Sequence, residues 1–352
     1  MNSFRRFLLN MLSSQQKIAI KHQIYKFHIY FNKFFAKFSL FSAIYFLLFD
    51  RSFRREQLAV MSGRQRFELQ RRMPKGSNAM LRRNIHRLEK GLMMTPRKPV
   101  FAEDYIGETV AVYVKACVDE GFSRSELQWA NDVLSQYFAV VKQTATIESA
   151  LREYQQSSLA TSSNCVPFPY GELPPHNCQY EQFLSLCTHR HSVRWFKPVP
   201  VDPGMIGKAI LAASQAPSAC NRQPYKFHLL YQDKAAEAAS LAMGTVGFAE
   251  NIPALAVVVG DLSCYQEYRD RHLIYIDASL AAMQFMLALE ALGLASCPIN
   301  WPDIESREQS MQKLLALPVY HRPVMLIAIG YAAPTALVAY SQKKELEQLV
   351  SD

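Results

Sequence analysis

The spacing of apolar residues changes character twice along the chain. From Arg64 to about Gln155 apolar positions recur every three or four residues, as at Leu127, Trp129, Val133, Leu134, Tyr137 and Val140. Long Pro-free stretches and the lack of strand-like alternation make this a helical region. Residues 156–180 break the pattern with Ser157, Ser158, Ser162, Ser163, Pro167, Pro169, Gly171, Pro174 and Pro175, the composition of an irregular connector. Helix and strand signals alternate beyond it. Tyr180 to Phe196 and Asp202 to Gln215 read as helices, and Lys226 to Tyr231 reads as a strand entered through the turn at Gln223 and Pro224. Ala254 to Val259 and Val324 to Ile329 are short, continuous apolar runs followed by glycine, each the length of a buried strand. Between them Ile274 to Leu292 is apolar nearly all the way round, which predicts a helix buried on every side, in a core or in a subunit interface. Gly293 closes that helix as a C-cap, and Ala295 to Ile299 reads as the next strand. The pattern divides the chain into a helical region, 1–155, a linker, 156–180, and a second domain, 181–352.

Charge separates the same halves. Residues 1–100 hold 21 Lys and Arg against 4 Asp and Glu, whereas the rest of the chain is net acidic, for an overall charge of +9. A basic front half is suited to anionic lipid, nucleic acid or an acidic protein face. Nucleic acid is the weakest of these, because the basic residues form no recognised binding motif and the aromatic ones follow helical spacing. Within the first fifty residues Arg5, Arg6, Lys17, Lys21, Lys26, Lys33 and Lys37 alternate with Phe and Tyr. The strongly apolar run there, Phe38 to Phe49, starts far from the N-terminus and has no small-residue cleavage site, so it is not a secretory signal. It is also short of the roughly 20 residues that span a bilayer. A buried helix is the favoured reading, and a helix lying in the interface of an anionic membrane is the other. Seven scattered cysteines with no Cys-x-x-Cys pair suggest neither zinc nor a redox dithiol, and the chain is expected to be cytoplasmic with reduced thiols, peripheral at most to the inner face of the membrane.

Three segments carry groups suited to a phosphate and a flat heteroaromatic ring. The first is His189-Arg190-His191-Ser192-Val193-Arg194, in which two guanidinium forks four residues apart would share a helical face with a hydroxyl nearby. Alone, such a pair is more often a solvated face. The second, Ala216 to Tyr225, contains Pro217, Ser218, Ala219, Asn221, Gln223 and Pro224; its prolines fix the backbone, and its amides can donate and accept along a ring edge. The third, Ser296-Cys297-Pro298-Ile299-Asn300-Trp301-Pro302, lies at a strand end, where free backbone N–H groups could face a ligand.

In this order, with the long apolar helix between the second and third, the segments resemble the nitroreductase family of flavin mononucleotide (FMN) enzymes. The family's basic pair followed by Ser-x-Arg matches Arg190 to Arg194, and its Pro-Ser-x-x-Asn-x-Gln-Pro-aromatic loop matches Pro217 to Tyr225 at every defined position. Leu292 to Ile299 is similar to the family's helix end and following strand. The resemblance covers about 170 residues. It implies an α+β fold with a central mixed or antiparallel sheet, a homodimer with FMN at the subunit interface, and ping-pong hydride transfer from NADH or NADPH through flavin N5 to a small-molecule acceptor. Carried onto matching positions, Arg190 and Ser192 would hold phosphate and ribityl chain, with His191 contributing backbone, and Arg194 would sit by flavin N1 and O2, favouring the anionic reduced ring. Ser218 and Ala219 would approach from the partner subunit, Asn221 would meet the pyrimidine edge, and Pro298, Ile299 and Asn300 would cover the side between the dimethylbenzene ring and N5. No catalytic acid or base is implied, since the chemistry is the cofactor's.

Two positions depart from the family pattern. Trp301 stands where many relatives have glycine, so the indole is expected to narrow the site, and the family's C-terminal Lys-x-Arg clamp is represented by Lys343 and Lys344, point charges in place of a fork. Leu81 to Leu92 is similar to an extension found in long nitroreductase-like proteins of bacterial polysaccharide gene clusters. Within it His86 and Glu89 read as a surface ion pair in preference to an acid-base pair. The competing function is that of a membrane-associated accessory protein of cell-envelope or polysaccharide assembly with a degenerate flavin site.

Overall fold

A computed structural model of the chain describes residues 35–72, 74–157, 159 and 165–351, with scattered positions between 13 and 33. Ser158, Ser162 and Ser163 of the connector and Arg5, Arg6, Lys17 and Lys21 lie outside the described residues. By contacts the chain forms two compact units, Met1–Glu56 and Gln57–Asp352.

In the first unit, helix α1 (Ser39–Leu48) buries only Tyr45, while Leu40, Leu47 and Leu48 and the flanking Phe38 and Phe49 are exposed. This corrects the expectation of a buried helix. A ten-residue helix that is apolar on every side cannot be covered through one contact strip.

The second unit begins with a helical bundle. Helix α2 (Arg54–Arg72) is followed by α3 (Ala79–Leu92), α4 (Ile106–Cys117), α5 (Arg124–Val140) and α6 (Ala145–Gln155). The helices start where side chains can satisfy their free N–H groups: Asn78, Ser123 and Thr144 accept from Leu81, Glu126 and Ile147, respectively. Leu81, Ile85, Ile106, Tyr113, Leu134, Tyr137 and Ile147 form a fully buried core. Asn131 ties three helices together, its Oδ1 accepting from the hydroxyls of Tyr113 and Tyr154, each at 2.9 Å.

After the connector come α7 (Tyr180–His189) and α8 (Pro203–Ala213), then strand β1 (Tyr225–Tyr231), α9 (Asp233–Ser240), β2 (Ala254–Asp261), α10 (Leu273–Ala291), β3 (Ala295–Asn300), α11 (Glu305–Leu314) and β4 (His321–Gly330). The strands form one antiparallel sheet of order β1-β2-β4-β3, so the fold is α+β. The register of β2 on β4 slips between Val258 and Val259, opposite Pro323, a residue that has no N–H to offer a ladder. One sheet face is covered by α8 and α10 through Ile206, Ala209, Ala281, Phe285 and Leu289; α9 and α11 contribute Ala238 and Met311 to the other core.

One helix expectation stays open and one needs correcting. Within one chain helix α10 is covered on one side only: Ile276, Leu280 and Met283, at 48%, 43% and 41% exposure, form a solvent-facing stripe, the face that the alternative of a subunit interface concerns. Helix α7 stops at His189 instead of reaching Phe196, because the next residues pair with the sheet. Ser192 bridges Ser296 in parallel, with the Val193 N–H donating to the Ser296 carbonyl at 3.0 Å, and Phe196 bridges Ala332. Arg190 and Arg194 therefore do not share a helical face.

Candidate functional site

The pairing that ends α7 brings the first and third sequence segments together. Residues 190–194 run along the outer edge of β3, and the C-terminal tail passes over them. Arg190, His191, Ser192 and Arg194 on one wall and Tyr340 to Lys343 on the other enclose a cavity of about 620 Å³. That volume is in the range of small-molecule sites, roughly 300–1,000 Å³. Lys344 is exposed and does not line the cavity. Nη1 of Arg190 is buried and has no hydrogen-bond partner among the described residues, and the Ser296 hydroxyl on β3 is in the same condition. Arg194 is exposed, and its carbonyl accepts from Asn251 Nδ2 at 2.8 Å. His191 turns its ring to backbone, Nδ1 lying 2.8 Å from the His189 carbonyl. Burial raises the Cys297 thiol pKa above its ordinary value, although Arg194, Ser192 and Arg190 oppose the shift.

The second segment is a tight turn between α8 and β1. Cys220, Asn221 and Gln223 have φ of 53°, 50° and 50°, left-handed backbone that costs most side chains of order 1–3 kcal/mol. The turn is held by Asp277, a buried carboxylate on α10 that sequence reasoning missed. Asp277 Oδ2 accepts from the Ser218 hydroxyl at 2.6 Å and from the Ala219 N–H at 3.0 Å. Ser218 Oγ in turn accepts from the Gln223 N–H at 2.7 Å, and Gln223 Nε2 donates to Asn221 Oδ1 at 2.8 Å. Pro217 is exposed. The signal available in sequence was the acid itself, since Asp277 stands in the first turns of a helix otherwise rich in apolar residues.

This turn is also covered from the extension. Helix α3 packs on it, and Arg82 donates from Nε to the Asn221 carbonyl at 2.9 Å while its Nη1 pairs with buried Glu126 at 3.1 Å. His86 and Glu89 do pair, at 3.1 Å, and Glu89 also accepts from Trp129 Nε1 at 2.9 Å, so the pair is part of the bundle's surface packing.

The third segment divides by the alternation of β3. Pro298 and Asn300 are exposed, whereas the Ile299 side chain is buried in the core, which leaves only its backbone for a ligand. Trp301 does not project into a cleft. Its indole is 7% exposed within the same core, and Nε1 donates to Glu308 Oε1 at 2.6 Å. Glu308 also pairs with buried Arg322 at 3.4 Å. The expected narrowing by Trp301 is thus corrected: a polar partner on α11 draws the ring inward.

The two groups of candidates sit on opposite edges of the sheet, Pro217 to Gln223 ahead of β1 and the cavity along β3. Three inter-strand spacings, about 14 Å, separate those edges.

Comparison with known proteins finds similarity in the C-terminal part of the chain. The nitroreductase family model matches residues 187–250 and 235–331. The chain is 24% identical to an NAD(P)H nitroreductase of Streptococcus pyogenes over 43% of this chain and 90% of that one. It is 27% identical to an NAD(P)H nitroreductase of Bacillus subtilis over 44% and 91%. Among solved structures, an FMN-dependent nitroreductase from Clostridium difficile is 23% identical, with a TM-score of 0.39, over 45% of this chain and 92% of that one. Residues 187–331 are a nitroreductase-family domain, and the helices that precede it are an N-terminal extension to that domain.

Proposed function

We propose that the protein is an FMN-dependent oxidoreductase that takes hydride from NADH or NADPH and delivers it to a small-molecule acceptor in two separate half-reactions. The observation that carries this reading is the buried, partnerless Nη1 of Arg190 at the wall of a cavity also lined by Arg194 and Lys343. An arginine cannot shed its charge, and a buried donor left unpaired costs about 1–3 kcal/mol. A phosphate supplies the oxygens that such a group lacks, so the residues present fit FMN. In this assignment Arg190, Ser192 and Lys343 hold the phosphate, with Lys344 adding charge nearby, and Arg194 places a positive charge beside the ring. When bound, the flavin supplies the two-electron chemistry, and the protein orients and tunes it.

The ring would need a second chain. Ser218, Ala219 and Asn221 lie at the far edge of the sheet from the cavity, so one copy offers half of the expected contacts. The exposed stripe Ile276, Leu280 and Met283, with Phe183 and Leu184 of α7, is an apolar face suited to a homodimer. Asp277, next to Ile276 on α10, would then hold the turn in the shape presented to the partner's cofactor.

The test is the visible spectrum of the purified protein, followed by release and identification of the chromophore. Near-stoichiometric FMN, bleached by NADH or NADPH, is the expected result. A colourless protein that takes up no added FMN sinks the assignment and favours a membrane-associated accessory role in envelope or polysaccharide assembly. One observation supports membrane contact under either reading: exposed α1 lies between Lys33 and Lys37 on one side and Arg51 and Arg54 on the other, a pattern suited to the anionic cytoplasmic face of a bilayer. Co-sedimentation with phosphatidylglycerol vesicles, lost at high salt, is expected; binding equal to that of neutral vesicles argues against it.

A further inference from the structure

Helix α3 does more than cover the turn at 217–223; it sets a row of cations against it. Arg83 and Arg87 are four residues apart and so share a helical face, next to Arg82, which touches the turn directly. The neighbours of Arg83 have their charges answered. Arg82 pairs with Glu126 at 3.1 Å, Arg87 lies 3.7 Å from Asp104 with its guanidinium 3.6 Å from the Tyr105 ring, and Arg222 lies 3.7 Å from Asp270. Glu108, on the adjacent α4, is taken by Arg71 at 3.0 Å and by Asn84. Arg83 is half-buried, and no carboxylate among the described residues lies within ion-pair distance of it. Arg222, in the turn itself, is 8% exposed, and its Nε is buried without a partner among the described residues. Burial, then Arg87 and Arg222, push the Arg83 pKa below its ordinary value, against the opposing influence of Cys220 and Glu108.

We propose that Arg83, with Arg222 behind it, is an anion subsite at the edge of the flavin-facing turn, and that it selects a small molecule carrying a carboxylate or phosphate. The proposal rests on the assignment of residues 217–223 as a cofactor-facing turn. It gives the extension a role in choosing what reaches the ring, since α3 belongs to the extension and the turn to the nitroreductase domain. The anion is either a substituent of the electron acceptor or the 2′-phosphate of NADPH; both present oxyanions to a guanidinium fork.

The test uses the full chain with its flavin and a pair of probes that differ in charge, 4-nitrobenzoate and 4-nitrobenzamide, in wild type, Arg83→Gln and Arg83→Lys. Because Arg83 has no ion-pair partner among the described residues, the variants are expected to melt with the wild type and to retain the same flavin content. Calorimetric affinity and kcat/KM should favour the benzoate in wild type. That preference should fall roughly tenfold or more in Arg83→Gln, partly survive in Arg83→Lys, and leave the benzamide unaffected. If NADPH preference over NADH falls in its place, the anion site stands and the reductant is its source. Equal treatment of both probes and both nucleotides by wild type and Arg83→Gln overturns the proposal. Failure of the flavin reading looks different: the wild-type protein would lack flavin altogether, while calorimetry would still report whether Arg83 discriminates the two probes.

Discussion

The turn at 217–223 and the segment at 190–194 carry the two most distinctive motifs of the domain, yet they are built on opposite terms. In the turn, polar groups answer one another: Ser218 and Ala219 bond to Asp277, and Gln223 bonds to both Ser218 and Asn221. In the segment, the buried Nη1 of Arg190 has no partner among the described residues and Arg194 faces the cavity. A self-satisfied motif is a piece of architecture that fixes backbone shape; a motif with unspent donors is a receptor. Substitutions in the first should therefore cost stability, and substitutions in the second should cost ligand.

The largest effect expected from this contrast is in Asp277→Ala. Two half-buried donors lose a charged acceptor, and the left-handed residues at 220, 221 and 223 lose the anchor that holds them. Bonds to charged groups contribute about 1.5–3 kcal/mol each, offset by relief of a buried carboxylate, so a net loss of about 3 kcal/mol is expected in chemical denaturation. A loss below about 1 kcal/mol would mean that the turn holds its own shape. Next comes Arg190→Ala, which should weaken FMN binding by about 2 kcal/mol, or some thirtyfold, with the melting temperature of the flavin-free protein unchanged. Fluorescence titration with FMN measures the first quantity and calorimetry the second. A variant that loses stability and keeps its flavin would reverse the contrast.

Local signals and tertiary ones account for what the sequence disclosed. The strands at 225–231, 254–261, 295–300 and 321–330 lie within three residues of their expected positions, and for 254–261 and 321–330 the signal was a continuous apolar run, because a buried strand must be apolar whatever surrounds it. Helix α7 was over-read because nothing between Arg190 and Phe196 breaks a helix locally. Its end is set by pairing with Ser296, a hundred residues away. Trp301 was misplaced for the same reason: its direction depends on Glu308, and neither the residue type nor its position reveals that bond. Lys343 could be matched to a clamp by motif, but only the path of the tail brings it to the cavity of Arg190 while leaving Lys344 outside. The role of α3 against the turn had no sequence signal, since helix and turn are joined by contacts across more than 130 residues.

The extension and the domain are also joined closely at Gly63 of α2, and a smaller effect is expected there. A Cβ at this position would come 2.8 Å from the backbone carbon and oxygen of Leu262, and backbone cannot swing aside as a side-chain tip can. Gly63→Ala should cost about 1–2 kcal/mol through overpacking, after allowance for the alanine's better helix propensity. If α2 is only loosely laid on the domain, the same substitution will stabilise it, and thermal unfolding decides between the two signs.

The smallest effect concerns another buried nitrogen without a hydrogen-bond partner among the described residues, His228 Nε2 on β1. It differs from Arg190 in that imidazole can discard its proton. Burial, together with His321 and Lys226 nearby, holds the His228 pKa below the usual value of 6.5. Protonation therefore favours the unfolded chain: the contribution to stability is complete above about pH 6.5 and is lost as pH falls through the lower folded-state value. Asp261, kept below its ordinary pKa despite burial by its bond to His321 and by the donors of Ser263, acts in a separate and more acidic window, beginning near the carboxylate range. Denaturation midpoints should consequently decline as pH falls below about 6.5, the ordinary imidazole value, and His228→Gln, which cannot be protonated, should flatten that decline while leaving the more acidic, carboxylate fall in place. A slope unchanged by the substitution would mean that His228 meets water in the folded protein, and then a partnerless buried nitrogen would no longer suffice to mark Arg190 as a site that requires an anion.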